Sequence, residues 1–318
     1  MIIVSGIRPA DRRFTQEMGR LRLAILAVPL LGVALLPAPP ARGADSTAVV
    51  PDTRKFLEEV RQNLQSDESL LDQYTFTEVF QESRLDSHGA VKKTRTEVYE
   101  VYPSTQPRKI YRRLISRDGA PLTEAELAEQ DRKQEEKTER REQRIAAHDA
   151  AAAESHADEN RRKERAIVDE IFRMDDIGVV GRETVDGRPA IVVSFTPRPG
   201  YKPVTEGGKV IQKLAGRAWI DEADRQLVRL EARLVDSMGV GPAKLARLQK
   251  GATAFFQRKK VNGEVWLPAE ARFSGAAKAL LLFGTRLDVH STYGDYKKFS
   301  VSTEEDVTSG NGETSNEN

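Results

Sequence analysis

The spacing of hydrophobic residues changes between two segments near the start of the chain. From residue 51 to residue 71 apolar side chains recur mostly every three or four residues, which predicts an amphipathic helix; they are Phe56, Leu57, Val60, Leu64 and Leu71. From Tyr74 the period becomes two, with Phe76 and Phe80 on the same side as Tyr74. This alternation predicts a strand that ends near Ser83.

The same period of two recurs through most of the remaining chain. In one segment Val228, Leu230, Ala232 and Leu234 alternate with charged residues, and in another Leu287, Val289 and Tyr293 do so. Such strands have one dry and one wet face, as in antiparallel sheets. The segments predicted as strands are 74–83, 94–102, 109–116, 177–184, 190–196, 216–221, 228–234, 253–261, 264–273, 279–285 and 287–293. Together they predict one meandering, curved antiparallel sheet of about ten strands.

Turn residues separate these strands. The relevant dipeptides are His88-Gly89, Asp118-Gly119, Asp186-Gly187 and Asn262-Gly263. The last two are strong hairpin signals, because Asp, Asn and Gly all tolerate a positive φ. Gly207-Gly208 indicates a flexible loop, and residues 196–203, with three prolines, indicate a rigid basic connection between strands.

Residues 122–174 interrupt the alternation. Thr123 begins a stretch rich in Glu, Lys, Arg, Gln and Ala without a proline, which predicts one long helix or a helical pair. Its middle lacks an apolar stripe, so we expect that part to be solvated. Near its end Ile167, Val168, Ile171 and Phe172 form a two-turn apolar face, and we expect the insertion to dock on the sheet there.

The N-terminus predicts export. Arg20 and Arg22 precede an apolar stretch over residues 23–36, and small residues follow up to Gly43. That order is typical of a signal peptide over residues 1–43, and we expect cleavage between Gly43 and Ala44. The alternative is a retained N-terminal anchor, but the stretch is shorter than the roughly 20 apolar residues that span a bilayer. Met18 is an equally good start.

Composition narrows the class of protein. The chain has no cysteine, which excludes disulfides, thiolate metal sites and a lipid-modified cysteine. We therefore expect a free periplasmic protein rather than a tethered one. Its net charge of +1 gives no indication of a nucleic-acid partner. Residues 44–121 and 175–301 are predicted to form one β domain around the insertion, and the polar residues 302–318 a disordered tail.

No pattern indicates catalysis, a cofactor or a metal. The chain has no nucleophile elbow, zincin helix or glycine-rich phosphate loop. Asp221, Glu222 and Asp224 are close together, but they lie between two predicted strands, where acidic residues commonly shape turns. His148 and His156 share the charged, alanine-rich insertion, where a histidine is usually solvated. His88 and His290 have no evident partner.

Two features favour binding. The apolar faces of the sheet are extensive and few helices are available to cover them, which leaves room for a ligand cavity. The alternative is a closed core under two helices. The run Leu280, Leu281, Leu282 and Phe283 fits either a buried strand, which we prefer, or an exposed tip that contacts a membrane.

Short motifs resemble those of a known family. Residues 216–221, Gly-Arg-Ala-Trp-Ile-Asp, precede residues 226–231, Gln-Leu-Val-Arg-Leu-Glu, and residues 265–268 read Val-Trp-Leu-Pro. These segments resemble strands of LolA-like outer-membrane lipoprotein-sorting proteins. The resemblance covers about residues 74–299, with the charged helix as an insertion. It implies a half-open antiparallel β-barrel, lidded by helices, whose concave face shelters lipid or lipoprotein acyl chains without catalysis.

The sequence therefore predicts an α+β protein that carries a lipid or lipoprotein acyl chain in lipoprotein sorting or envelope lipid traffic. The predicted lining residues are Tyr74, Phe76, Phe80, Trp219, Val228, Leu230, Leu234, Leu287 and Val289. The rival hypothesis is an interaction or sensor module of the same fold, in which the charged helix contacts an envelope protein. An enzyme is the third hypothesis, and it needs a perturbed carboxylate pair inside the cavity.

Overall fold

The computed structural model describes residues 53–63, 73–86, 88–103, 110–147, 150–240, 246–279 and 284–298. The predicted signal peptide, the predicted tail, the end of the first predicted helix and the apolar run 280–283 lie outside these residues. So does His148. The side chain of His156 is likewise outside what the structure describes.

Four helices and thirteen strands make up the described part of the chain. The helices are α1 (Thr53–Asn63), α2 (Glu124–Ala147), α3 (Ala150–Met174) and α4 (Glu206–Ile211). None of them is both long and apolar enough to cross a membrane. The strands are β1 (Tyr74–Leu85), β2 (Val91–Pro103), β3 (Ile110–Arg117), β4 (Ala120–Pro121), β5 (Asp175–Val185), β6 (Arg188–Pro197), β7 (Leu214–Asp221), β8 (Leu227–Leu234), β9 (Met238–Val240), β10 (Ala246–Leu248), β11 (Thr253–Val261), β12 (Val265–Ala279) and β13 (Thr285–Lys298).

All strands belong to one antiparallel sheet. Its order is β4-β3-β2-β1-β13-β12-β11-β8-β7-β6-β5, so the chain closes β1 against β13 and leaves β4 and β5 at the two ends. The short strands β9 and β10 form a small leaf, in which β10 pairs with the end of β12. The predicted fold class, a curved antiparallel sheet that stays open and carries helices, is confirmed.

Turn chemistry sets the register of the hairpins. At Asp186-Gly187 and Asn262-Gly263 both central residues have a positive φ, as a type I′ turn requires: 48° and 77° in the first and 53° and 71° in the second. The two strong hairpin predictions are therefore correct. Asp118-Gly119 adopts the same conformation between β3 and β4.

Irregular pairing bends the strands. The register shifts between Val179 and Gly181 in β5, and again between Gln257 and Arg258 in β11. A third shift lies in β8, where Trp219 faces Arg229 but Ile220 faces Leu227. Each bulge adds a residue to one strand of a pair and increases the local twist, which curves the sheet.

Helix α2 begins with a capping box. The Thr123 backbone N–H donates to Glu126 Oε2 at 2.9 Å, and the Glu126 N–H donates to Thr123 Oγ1 at 3.3 Å. The first half of the helix is also attached to the sheet, because Asp131 accepts hydrogen bonds from Tyr111 and Arg113 of β3. The insertion is therefore anchored near its start as well as at its end. The sequence pattern of the insertion does not indicate the contacts of Asp131, because its partners lie on a different strand.

Gln130 of α2 protects the edge of β3. Its side-chain Nε2 donates to the Leu114 carbonyl at 3.1 Å and its Oε1 accepts from the Leu114 N–H at 3.1 Å. A single amide thus occupies both backbone groups that a further strand would use. Covered edges of this kind prevent unwanted strand pairing.

Candidate functional site

The inner face of the sheet is the face that packs against α1. It carries a large apolar cluster, the covered cluster, whose buried members are Phe56, Val60, Ile191, Val193, Leu214, Ala218, Ile220, Leu227, Leu230, Ala232, Leu234 and Ala252. Phe56 and Val60 come from α1, and each is only 2% exposed. Leu57 of α1 and Phe172 of α3 pack against the same cluster. The two helices therefore cover one half of the inner face.

A groove of about 430 Å³ lies between α1 and α3. Leu57 and Phe172 supply its apolar surface, and charged residues of both helices supply the rest: Arg54, Glu58, Arg61, Asp169 and Arg173. Arg61 bridges the helices with a 3.4 Å contact to Asp169 while it pairs with Glu58 at 3.1 Å. A polar rim over an apolar floor suits an amphiphile better than a purely polar ligand.

The other half of the inner face carries aromatic rings and charges. Its buried aromatic cluster consists of Phe76, Phe80, Tyr99, Val101, Leu114 and Tyr293. Opposed residues on paired strands share a face, and Phe273, which packs on the covered cluster, lies opposite Val289, which packs on the aromatic cluster. The two clusters are therefore parts of one continuous inner surface.

Three buried glutamates lie beside the aromatic cluster. Glu78, Glu82 and Glu97 are 3%, 6% and 4% exposed. Arg112 binds Glu78 through Nη2 at 2.6 Å and Nε at 2.8 Å, and Arg95 contacts both Glu82 and Glu97. Tyr293 is only 7% exposed here, and burial raises its pKa above the ordinary value. Ion pairs in such a place hold a specific arrangement rather than add much stability.

The structure places most of the nine predicted lining residues on the inner face. Leu230 and Leu234 belong to the covered cluster, whereas Phe76, Phe80 and Val289 belong to the aromatic cluster or pack against it. Leu287 is buried opposite Gly275. Tyr74 packs against Val265, Leu267 and Tyr296 at the end of the sheet. Whether these residues touch a ligand stays a prediction.

Trp219 and Val228 lie on the opposite, outer face. The bulge in β8 makes Val228 the extra residue, so its side chain packs with Val192 and Trp219 instead of with Leu230. The sequence alternation that grouped Val228 with Leu230 is therefore wrong at this residue. An unbroken period of two cannot reveal a bulge, since the bulge shifts the period only once.

Two arginine side chains stack on Trp219 on the outer face and cover its ring. Its Nε1 donates to Glu183 at 2.8 Å, and the guanidinium carbons of Arg217 and Arg229 lie 5.1 Å and 4.6 Å from its ring centroid. The side chain is only 1% exposed. Cation–π stacking thus gives the ring a structural role in which no surface is left for a ligand.

The carboxylates of the β7–β8 turn are tied to cations. Arg188 binds Asp221 at 2.7 and 2.9 Å and reaches Asp224 at 3.2 Å. Burial raises the pKa of Asp221, but its hydrogen bonds from Arg188 and from the Asp224 and Ala223 N–H groups lower it by more. Glu222 pairs with Arg182. These contacts fit the turn-shaping role that the sequence indicates.

Glu170 in α3 and Asp175 at the start of β5 are both buried acids, but they differ in their hydrogen-bond partners. Glu170 is fully buried and accepts from the Val204 and Thr205 N–H groups at 2.5 and 3.0 Å, which lowers its pKa although burial raises it. Asp175 is 1% exposed, and neither oxygen has a partner among the described residues. Burial raises the pKa of Asp175 to about 7, opposed by Arg198.

The predicted flexible loop at Gly207-Gly208 is instead the start of α4. Thr205 caps this helix by accepting from the Gly208 N–H at 2.8 Å. A Cβ at Gly208 would lie 2.2 Å from Glu170 Oε2, and one at Gly207 would lie 2.7 Å from Ile167 Cδ1. The glycines are therefore needed for close packing on α3, which sequence alone does not distinguish from flexibility.

The described residues hold no group of three or more His, Asp or Glu side chains placed to bind a metal. His290, which showed no partner in the sequence, contacts Glu270 through Nε2 at 2.8 Å on the outer face. His88 is exposed in the β1–β2 turn.

No protein-family model and no curated protein matches the chain. Among solved structures, a putative outer-membrane lipoprotein-sorting protein domain from Vibrio parahaemolyticus is similar with 9% identity and a TM-score of 0.28. The match covers 79% of this chain and 94% of that one. A LolA superfamily protein from Nitrosomonas europaea is similar with 11% identity and a TM-score of 0.25, over 78% and 94% of the two chains.

The complex of MucA and MucB from Pseudomonas aeruginosa is similar at 11% identity and a TM-score of 0.23, over 79% of this chain and all of that one. The names agree with the LolA-like resemblance predicted from the sequence. Similarities as low as these show nothing about a ligand or a partner of this chain.

Proposed function

We propose that the protein is an exported, non-catalytic periplasmic carrier that binds a lipid or a lipoprotein acyl chain on the inner face, beneath α1 and α3. Leu57 and Phe172 carry the proposal, because both line the groove and both pack against the covered cluster. An acyl chain in the groove would therefore contact Leu57 and Phe172, and the covered cluster lies directly behind these two residues. The charged rim of Arg54, Arg61 and Arg173 suits the head of an amphiphile.

Probe binding tests the proposal. We expect protein purified after export to contain extractable lipid, and to bind a fluorescent fatty-acyl probe that unlabelled lipid displaces. The double variant Leu57→Gln with Phe172→Gln should bind the probe at least about tenfold more weakly, since two apolar contacts are lost. Val79→Gln is the matched control: Val79 is 38% exposed on the opposite face of β1. Empty protein without probe binding, or equal loss in the control, contradicts the proposal.

We propose the second alternative for the run Leu280–Phe283, which joins β12 to β13 in the chain: these four residues contact the membrane transiently. Replacement of all four residues by Ser should reduce transfer of lipid between vesicles and leave probe binding in solution unchanged. Unchanged transfer contradicts a role for this run.

A regulatory module is the second candidate, favoured by α2. Tyr111 and Arg113 fix the helix on the sheet through Asp131, while Arg132, Lys133 and Arg140 are exposed. Such a helix suits an envelope protein partner. Charge reversal at these three residues separates the candidates: loss of a partner with probe binding kept favours the module, and an unchanged set of partners favours the carrier alone.

A further inference from the structure

Three basic side chains lie together at one end of the outer face. Arg247 of β10 lies directly opposite Lys278 of β12. Arg286 of β13 lies opposite Ala276, which is two residues from Lys278 and therefore on the same face. All three side chains are exposed. We call Arg247, Lys278 and Arg286 the basic patch.

The three cations of the basic patch form no ion pair within the described chain. No carboxylate of the described residues forms an ion pair with any of the three, whereas Arg217, Arg229 and Arg272 elsewhere on the same face each pair with a glutamate. Two acids lie near the patch without pairing with it: Asp236 binds Lys213 at 2.7 Å and its charge also acts on Arg247, and Asp288 accepts from Ser274 at 2.5 Å. Like charges directly opposite each other destabilise a sheet unless an anion compensates them.

Apolar side chains continue the same row. Leu85 of β1 lies opposite Arg286, and Val91 of β2 lies opposite Leu85. Val91 is 62% exposed, one of three large hydrophobic residues of the described chain with more than half of their surface accessible. The end of the sheet thus presents both cations and apolar groups to the outside. That combination is typical of surfaces that bind the headgroup region of a bilayer.

At the same end of the sheet, the inner face of β9 and β10 belongs to the apolar interior. Leu248 alternates with Arg247 along β10, and it packs against the covered cluster together with Met238 of β9. A Cβ at Gly275 would lie 3.3 Å from Leu248 Cδ1 and 2.9 Å from the Ala252 Cβ, which shows how closely the leaf lies on the interior. The leaf therefore connects a basic outer surface with the surface proposed to hold an acyl chain.

We propose that the basic patch, with Leu85 and Val91, docks the protein on an anionic lipid bilayer. The unpaired cations supply the attraction to anionic headgroups, and the two apolar side chains supply the contact that a soluble polyanion would not use. An acidic protein partner would bind the cations through its carboxylates, but it would leave the exposed Val91 without a role. This inference rests on the proposed function and deepens it, because it assigns the membrane contact to a described surface and to anionic lipid.

Vesicle co-sedimentation tests the docking surface. Wild-type protein should bind vesicles of phosphatidylethanolamine with about one third phosphatidylglycerol, and bind phosphatidylcholine vesicles far less. The variant R247E/K278E/R286E should lose at least about tenfold in affinity for the anionic vesicles. The matched control K137E/R162E/R165E changes the net charge equally at exposed residues of α2 and α3, and should bind like wild type. All variants are purified by the same route, so the N-terminal segment is the same in each.

A second variant separates lipid from other anions. L85Q/V91Q should weaken binding to anionic vesicles severalfold and leave binding to heparin, a soluble polyanion, unchanged. Equal vesicle binding by wild type and R247E/K278E/R286E overturns the proposal, and so does an unaltered vesicle affinity of L85Q/V91Q. Thermal melts check that each variant is folded. Acyl-probe binding by R247E/K278E/R286E should match wild type, so failure of docking remains distinct from failure of the carrier function.

Discussion

Arg225 and Glu59 join the β7–β8 turn to helix α1. Arg225 Nε donates to Glu59 Oε2 at 2.7 Å, and the guanidinium carbon lies 5.0 Å from the centroid of the Phe56 ring. Gln226 Nε2 also donates to the Asn63 carbonyl at 3.1 Å, near the end of the same helix. One turn of the sheet thus holds the helix that covers the inner face. The helix is short, so these contacts set how readily it opens.

Arg225→Gln should loosen α1 without unfolding the sheet. The variant loses a partly exposed ion pair and a cation–π contact, together worth about 1 kcal/mol. We expect faster hydrogen exchange of the α1 amides and faster entry of the acyl probe. Arg182→Gln is the control, because the hydrogen bonds of Arg182 within the described residues go to Glu222 and not to α1. Equal exchange of α1 in wild type and Arg225→Gln contradicts a lid role for these contacts.

Asp175 should make the protein less stable as the pH rises. Its folded pKa of about 7 lies above the ordinary value of 3.8, so the folded state keeps a proton that the unfolded chain releases. The stability linked to this proton is fully present below pH of about 4 and is lost as the pH rises through 7. Asp175→Asn should therefore stabilise the protein at pH 8 by about 2 to 4 kcal/mol and have little effect at pH 4.

The neighbouring acid acts on that titration. Asp176 is exposed and binds Arg198 at 2.7 Å, and its negative charge helps to raise the pKa of Asp175, so Asp176→Asn should shift the loss of stability to lower pH. If Asp175→Asn showed no gain between pH 4 and pH 8, the carboxyl would have to be ionised or solvated in the folded state.

Gly216 should not tolerate a side chain. A Cβ there would lie 1.9 Å from the Glu231 carbonyl oxygen of β8, and backbone cannot move away as a side chain can. We expect Gly216→Ala to destabilise the protein by about 3 kcal/mol or more in urea unfolding. Gly181→Ala meets no atom within 4 Å and has no positive φ, so it should be neutral or slightly stabilising. Similar midpoints for the two variants would contradict the close approach of β7 and β8.

The arrangement of strands could be predicted from the sequence because one face of most strands is wet. Tyr74, Phe76 and Phe80 alternate with polar residues and are all buried, as their period indicates. The dipeptides Asp186-Gly187 and Asn262-Gly263 carry their own turn geometry. The C-terminal end of β12 was predicted at Phe273, but the strand continues to Ala279. The prediction stopped too early because Ser, Gly and Ala give no alternation.

The candidate site was less accessible to sequence reasoning. Phe56, Leu57 and Phe172 were recognised as docking positions of helices, but a periodic pattern does not show that a groove remains between the helices. The assignment of Trp219 to the lining was a prediction about which face of the sheet the residue occupies. Its actual position depends on arginines from its own strand and the next one, which only cross-strand register brings together.

Tryptophan quenching by a brominated fatty acid tests the central claim most directly. The chain has two tryptophans, Trp219 and Trp266. Both belong to the buried cluster on the outer face that also contains Val192 and Val228, whereas Phe172 lines the groove. Bromine quenches only at short range, so saturating brominated fatty acid should leave the fluorescence of the wild-type protein nearly unchanged. It should quench the added emission of Phe172→Trp strongly. Quenching of the wild-type tryptophans, with the new Trp unaffected, would contradict a ligand beneath α1 and α3.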